Sequence, residues 1–226
     1  YNEAGSIYIH NLKKGMRTAI LNLSGPRKSG NASLEDIGSV ALSSNLRTFA
    51  TYSKDGTIIL WDMTTRKPTQ RFKDVDQSGP AIALSPDGRT LATCCSANTK
   101  TITIRDVATG RSIHRMTSRD EIYSMAISPD GSMIASGDSA GVVTLWNVAT
   151  TVGQPLTGHM DTINRVLFSS DGKILAARGS NGALLLWDMT DQKQIDPPPL
   201  QNDSGFYSPG MAFSPDGDIL ALASSS

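Results

Sequence analysis

Short apolar runs separated by polar turns dominate this chain. Arg89-Thr90-Leu91-Ala92-Thr93 and Thr101-Ile102-Thr103-Ile104 are rich in β-branched residues and bounded by turn formers, which predicts strands. No stretch of about a dozen residues holds a helical period, so the chain reads as all-β. Thr57-Ile58-Ile59-Leu60-Trp61 and Ala183-Leu184-Leu185-Leu186-Trp187 are apolar on both faces of the predicted strand. Sheets covered on both sides fit them better than an open, one-sided sheet. The turns recur too: Ser85-Pro86-Asp87-Gly88, Ser128-Pro129-Asp130-Gly131, Ser169-Ser170-Asp171-Gly172 and Ser214-Pro215-Asp216-Gly217. Proline fixes φ, aspartate bonds its own backbone, and glycine accepts the positive φ that closes the turn. Ser43-Ser44-Asn45-Leu46 stands in the same place without the glycine.

The pattern is a repeat. Val40 to Met63, Ile82 to Val107, Met125 to Val148 and Val166 to Met189 superimpose, and Met211 to Ser226 begins a fifth copy. The opening serines are spaced by 42, 43, 41 and 45 residues, the period of a four-stranded propeller blade. Within a copy, 18 residues separate Ser43 from Trp61, Ser128 from Trp146 and Ser169 from Trp187. The second copy takes 20 and reaches Arg105, so its two extra residues are expected in the turn around Ser96 to Lys100. The predicted blades are 37–74, 79–117, 121–157 and 161–200, with half-blades at 1–23 and 207–226.

Leu60-Trp61-Asp62, Leu186-Trp187-Asp188, the variant Leu145-Trp146-Asn147, the Ser-Pro-Asp-Gly turns and Gly158-His159 together resemble WD40 repeats. The resemblance covers nearly the whole chain. It implies a WD40-type β-propeller with four complete four-stranded blades plus a half-blade at each end. Either these form an open arc of a larger propeller, or the two halves pair to close a five-bladed ring. The family's buried tetrad joins a His, a Ser or Thr, an Asp and the strand Trp. By position, Thr51, Asp55 and Trp61 belong to it in the first copy and Ser136 and Trp146 in the third. His159 and Trp187 belong to it in the fourth, with Ala140, Ala177 and Asn181 at positions that break it. No copy holds a complete tetrad, which predicts blades of uneven rigidity.

Charge and composition narrow the function. Lys plus Arg and Asp plus Glu each number 21, so no net field favours nucleic acid or an anionic membrane. Two adjacent cysteines, Cys94 and Cys95, supply neither a disulfide framework nor four zinc ligands, and reduced thiols are expected. No apolar run reaches the roughly 18 residues of a transmembrane helix. Histidines occur without metal-ligand spacing, and no nucleophile elbow, phosphate loop or dinucleotide fingerprint is present. Neither an enzyme nor a cofactor is expected. The repeated aspartates, one per turn, are read as turn formers, and a cytoplasmic location is expected. Asp196-Pro197-Pro198-Pro199-Leu200 reads as a stiff connection between blades, and the long polar loop Ser24 to Asp36 as an insertion.

WD40 proteins resembling this one dock other proteins or peptide segments on the loop face of the propeller. Carried over by register, the contact positions are Asp36, Glu121, Tyr123, Thr162, Asn164 and Tyr207 at first strands. Lys54, Asn98, Ser139 and Ser180 precede the tight turn. Tyr123 and Tyr207 are the expected anchors, since tyrosine offers large contact area at small entropic cost. Resemblance also admits the sensor propeller of a STAND-type ATPase or bacterial kinase, and the TolB-like or peptidase-associated propellers. The Leu-Trp-Asp endings favour the WD40 scaffold over the last of these.

Overall fold

The computed structural model describes residues 6–11, 16–22, 37–53, 55–73, 81–95, 100–156, 158, 161–196 and 210–223, and no helix occurs among them. The strands fall into consecutive antiparallel sheets. A hairpin of β1 (Ser6–Asn11) and β2 (Met16–Asn22) comes first. The first four-stranded sheet holds β3 (Ile37–Leu42), β4 (Thr48–Ser53), β5 (Thr57–Asp62) and β6 (Lys67–Lys73). The second holds β7 (Ala81–Leu84), β8 (Thr90–Cys95), β9 (Thr101–Asp106) and β10 (Ser112–Thr117). The third holds β11 (Ile122–Ile127), β12 (Met133–Asp138), β13 (Val143–Asn147) and β14 (Gly153–Leu156). The fourth holds β15 (Ile163–Phe168), β16 (Ile174–Gly179), β17 (Leu184–Asp188) and β18 (Lys193–Ile195). A second hairpin, β19 (Met211–Phe213) with β20 (Leu220–Leu222), follows.

Each sheet is an up-and-down meander in sequence order, and the first strand of one sheet packs on the first strand of the next: β3 on β7, β7 on β11, β11 on β15 and β15 on β19. This is the arrangement of propeller blades. The two hairpins remain separate sheets among the described residues, so the pairing needed for a five-bladed closure is not made.

Most of the core lies between blades, while Phe49, Ile59 and Trp61 form a cluster within the first. Tyr52, Ile58 and Leu60 of the first blade pack with Ile82, Leu84 and Leu91 of the second. Ile102, Ile104 and Met116 meet Ile122, Met125 and Trp146, and the third blade's Val143 and Leu145 meet Ile163, Val166 and Trp187. That explains strands apolar on both faces in the second, third and fourth blades, each of which packs on a neighbour at either side. Ser124 adds a polar tie by accepting the Val166 N–H at 3.0 Å. At β3 burial alternates, and Val40 and Leu42 are about half exposed.

The Ser-x-Asp-Gly turns fix where strands begin. Ser85 Oγ donates to Asp87 Oδ1 at 2.6 Å and accepts the Thr90 N–H at 2.9 Å, while Gly88 closes the turn at φ +72. The same bonds form at Ser128–Asp130, Ser169–Asp171 and Ser214–Asp216. In the first blade Asn45 takes the aspartate's part: Ser43 Oγ lies 2.7 Å from its Oδ1 and accepts the Thr48 N–H at 2.9 Å. Leu46, 65% exposed, is held at φ +58, a conformation glycine adopts without steric cost. Successive turns also touch, with Asn45 Nδ2 donating to the Asp87 carbonyl at 2.7 Å.

Candidate functional site

Opposite those turns lies the face formed by the starts of the first strands and the turns joining second to third strands. Ser139 N–H donates to the Glu121 carbonyl and Ser180 N–H to the Thr162 carbonyl, each at 2.8 Å. Thr162 Oγ1 donates to the Ser139 carbonyl at 3.1 Å, tying the third blade to the fourth. Four of the expected contact residues thus form one hydrogen-bonded line across two blades. Gly141 holds it close: a Cβ there would stand 2.7 Å from the Asp161 backbone nitrogen.

Tyr123 and Asn164 stand on this line for a reason that periodicity does not reveal. The ladder pairs Ile122 with Asp138 and then Ser124 with Gly137, leaving Tyr123 as the extra residue of a β-bulge. Asn164 is skipped in the same way between Ile163 and Arg165. A bulge twists the strand and re-aims the unpaired side chain. Tyr123 is 52% exposed, and its phenol lies 3.4 Å from Glu121 Oε2. That neighbouring carboxylate raises the phenol's pKa, so the tyrosine stays neutral. Gly38 occupies the matching bulge of the first blade and offers no side chain. Asp36, Lys54, Asn98 and Tyr207 lie outside the described residues, as do His159, the residues 96–99 expected to hold the second copy's insertion, the loop 24–36 and most of the proline run.

The structural residues divide by blade. Trp146 Nε1 donates to Ser136 Oγ at 2.8 Å, while Trp61 Nε1 reaches Thr51 Oγ1 at the long distance of 3.5 Å. Asp55 serves its own turn, accepting the Thr57 N–H at 2.9 Å and the Thr57 hydroxyl at 2.8 Å. Asp62, Asp188 and the variant Asn147 cap the turns after the third strands, each accepting a backbone N–H, as at Asp188 Oδ1 from Thr190. Trp187 is buried in the core between the third and fourth blades. In the second copy the Arg105 guanidinium lies over the Phe72 ring of the first blade, 5.1 Å from its centroid.

Sequence reasoning missed Asp138. With Ala140 at the expected aspartate position, Asp138 caps the turn instead: its Oδ1 accepts the N–H groups of Ala140 at 3.0 Å and Val142 at 2.8 Å. It is 4% exposed, and burial raises its pKa above the ordinary carboxylate range. An aspartate two residues ahead of the aligned position was the available signal. No group of three or more His, Cys, Asp or Glu side chains among the described residues could hold a metal.

Sheets stacked edge to axis, with bulged first strands opening onto a common loop face, define a β-propeller. The chain belongs to the WD40 repeat family: the family model "WD domain, G-beta repeat" matches residues 26–62, 110–147 and 150–188, about half of the chain. The first three strands of the second blade, β7 to β9, lie outside the matches, and Arg105 stands there in place of tryptophan. Over 129 residues the chain is 30% identical to "WD repeat-containing protein SL1-17" of Schistosoma mansoni, covering 57% of this chain and 42% of that protein. Over 102 residues it is 33% identical to "Autophagy-related protein 18" of Vanderwaltozyma polyspora, covering 44% of this chain and 18% of that one. The matched region is therefore less than half the length of either relative.

Proposed function

We propose that this chain is part of a non-catalytic scaffold that docks partner proteins or peptide segments on the face carrying Glu121, Tyr123, Ser139, Thr162, Asn164 and Ser180. The observation that supports it best is Tyr123, an exposed aromatic held on a bulge beside a rigid hydrogen-bonded line. Such a residue gives contact area with little ordering cost, and interface hot spots are enriched in tyrosine. Register with the family alone leads us to include Asp36, Lys54, Asn98 and Tyr207, which lie outside the described residues, in the proposed contact set. A cytoplasmic setting is part of this reading.

Peptides selected from a display library against the chain provide the test, with affinities compared between the parent and Tyr123→Ala. A loss of about tenfold or more, near 1.4 kcal/mol, is expected for peptides bound to this face. If selected peptides bind Tyr123→Ala and Asn164→Ala within about twofold of the parent, the face is wrong.

A further inference from the structure

Two hollows of similar size lie between neighbouring blades. One, of about 320 Å³, sits among the Ser-x-Asp-Gly turns and is lined by Asp130 and Asp171. Both carboxylates are already served by serine hydroxyls and backbone N–H groups, which hold their pKa values below the ordinary range. That hollow asks for nothing.

The other, of about 310 Å³, lies between the second and third blades on the side of the proposed docking face. Ser118, Asp120, Asp138, Val142, Trp146 and Pro155 are among the residues that line it. Asp138 commits Oδ1 to the two turn N–H groups, and among the described residues no donor reaches its Oδ2. Nearby charge does not answer it. Lys100 Nζ lies 3.4 Å from Asp120 Oδ1 and also donates to the Arg119 carbonyl, and at Asp138 the two charges act in opposite senses, Asp120 raising its pKa and Lys100 lowering it. The solvent-exposed Arg119 guanidinium makes no ion pair with Asp138. Asp138 is 4% exposed as a residue, yet its Oδ2 is not one of the sealed-off unpaired atoms, so the oxygen without a protein donor opens on the cleft and can take a cationic partner there.

We infer that this cleft receives the side chain of a lysine from a partner peptide, its ammonium on Asp138 and its stem along Trp146, Val142 and Pro155. The volume lies at the small end of ligand pockets, which run from about 300 to 1,000 Å³, and suits one side chain. Lysine fits better than arginine because a single free oxygen matches a compact ammonium, whereas a guanidinium fork is best used by two. The apolar wall suits the four-carbon stem, and the indole face adds attraction for the cation. The inference rests on the peptide-docking reading, for it assigns one pocket of that surface.

Nα-acetyl-lysine methylamide, with its ε-ammonium free, and Nα-acetyl-norleucine methylamide differ mainly in that terminal ammonium, so they isolate the charge. Titrated into the 226-residue chain and followed by the Trp146 indole N–H resonance, the lysine probe should bind at least tenfold more tightly. Asp138→Asn should bring the two within twofold, because asparagine keeps an oxygen for the turn N–H groups but loses the charge. Equal affinity in the parent chain overturns the inference without recourse to any variant, and so does a preference that survives Asp138→Asn in a folded protein. Tyr123→Ala separates the two readings: a lysine preference with no peptide dependence on Tyr123 leaves the pocket standing and removes the wider face.

Discussion

The second and third blades solve one structural position in two ways. In the third, Trp146 fills the space between blades and anchors its N–H on Ser136. In the second, Arg105 stands at that register point, opposite Leu91 in the ladder as Trp146 is opposite Ile134, and turns its guanidinium onto Phe72 of the blade before it. The strand pairing is the same in both. Register comes from the turns and the burial pattern, so the blade tolerates a change in its most recognisable residue provided the replacement still covers the neighbouring sheet.

Truncation should separate the two solutions most sharply. Trp146→Ala is expected to cost about 3–5 kcal/mol in denaturant unfolding, as large aromatic deletions in cores do. Arg105→Ala should cost about 1 kcal/mol, the scale of a partly exposed cation–π contact. Equal costs would mean that the arginine bears as much of the interface as the tryptophan. Next in size, Ser136→Ala should cost about 1–2 kcal/mol, because it strands a buried indole N–H. Thr51→Ala should cost less, given the 3.5 Å contact to Trp61.

A gain is expected at the irregular first turn. Leu46→Gly relieves a positive φ carried by an exposed leucine, and stability should rise by about 1 kcal/mol. No change in the unfolding midpoint would show that the leucine is held by contacts that compensate its backbone.

The smallest effect is a dependence on pH. Asp171 is lowered from 3.8 to about 2, first by the Ser169 hydroxyl and then by the Lys173 N–H. A lowered folded-state value gives stability that is present above about pH 4 and lost as the pH falls toward 2. Asp171→Asn should therefore flatten the acid limb of a stability profile. Asp138 has the opposite sign: burial raises it, so its contribution falls as pH rises from the ordinary carboxylate value through the raised one. Asp138→Asn should remove that decline, and a profile unchanged by either substitution would contradict both assignments.

Much of the blade was legible because it is local. Ser85, Asp87 and Gly88 specify their turn through bonds made within five residues, and period-2 placement decides which strand residues face a neighbour. The bulges were not legible. Tyr123 and Asn164 were reached by register with a known family, but the slipped ladder that presents them follows from how β11 and β15 meet β12 and β16. Asp138 was passed over because Ala140 held the aligned position.

By itself, then, the sequence determined the repeat, the strands, the turns and the all-β class, since each depends on short-range backbone preference and burial pattern. Tertiary structure decided what fills the gaps between blades. Tyr52, Cys94, Gly137 and Arg178 occupy equivalent, buried places yet range from no side chain to a guanidinium. At Gly137 a Cβ would come within 2.2 Å of Ile163 Cγ2, whereas Arg178 reaches across to the Ala223 carbonyl at 2.5 Å. The size allowed at each place is the space left by the facing sheet, and close packing fixes that space only when both sheets are present.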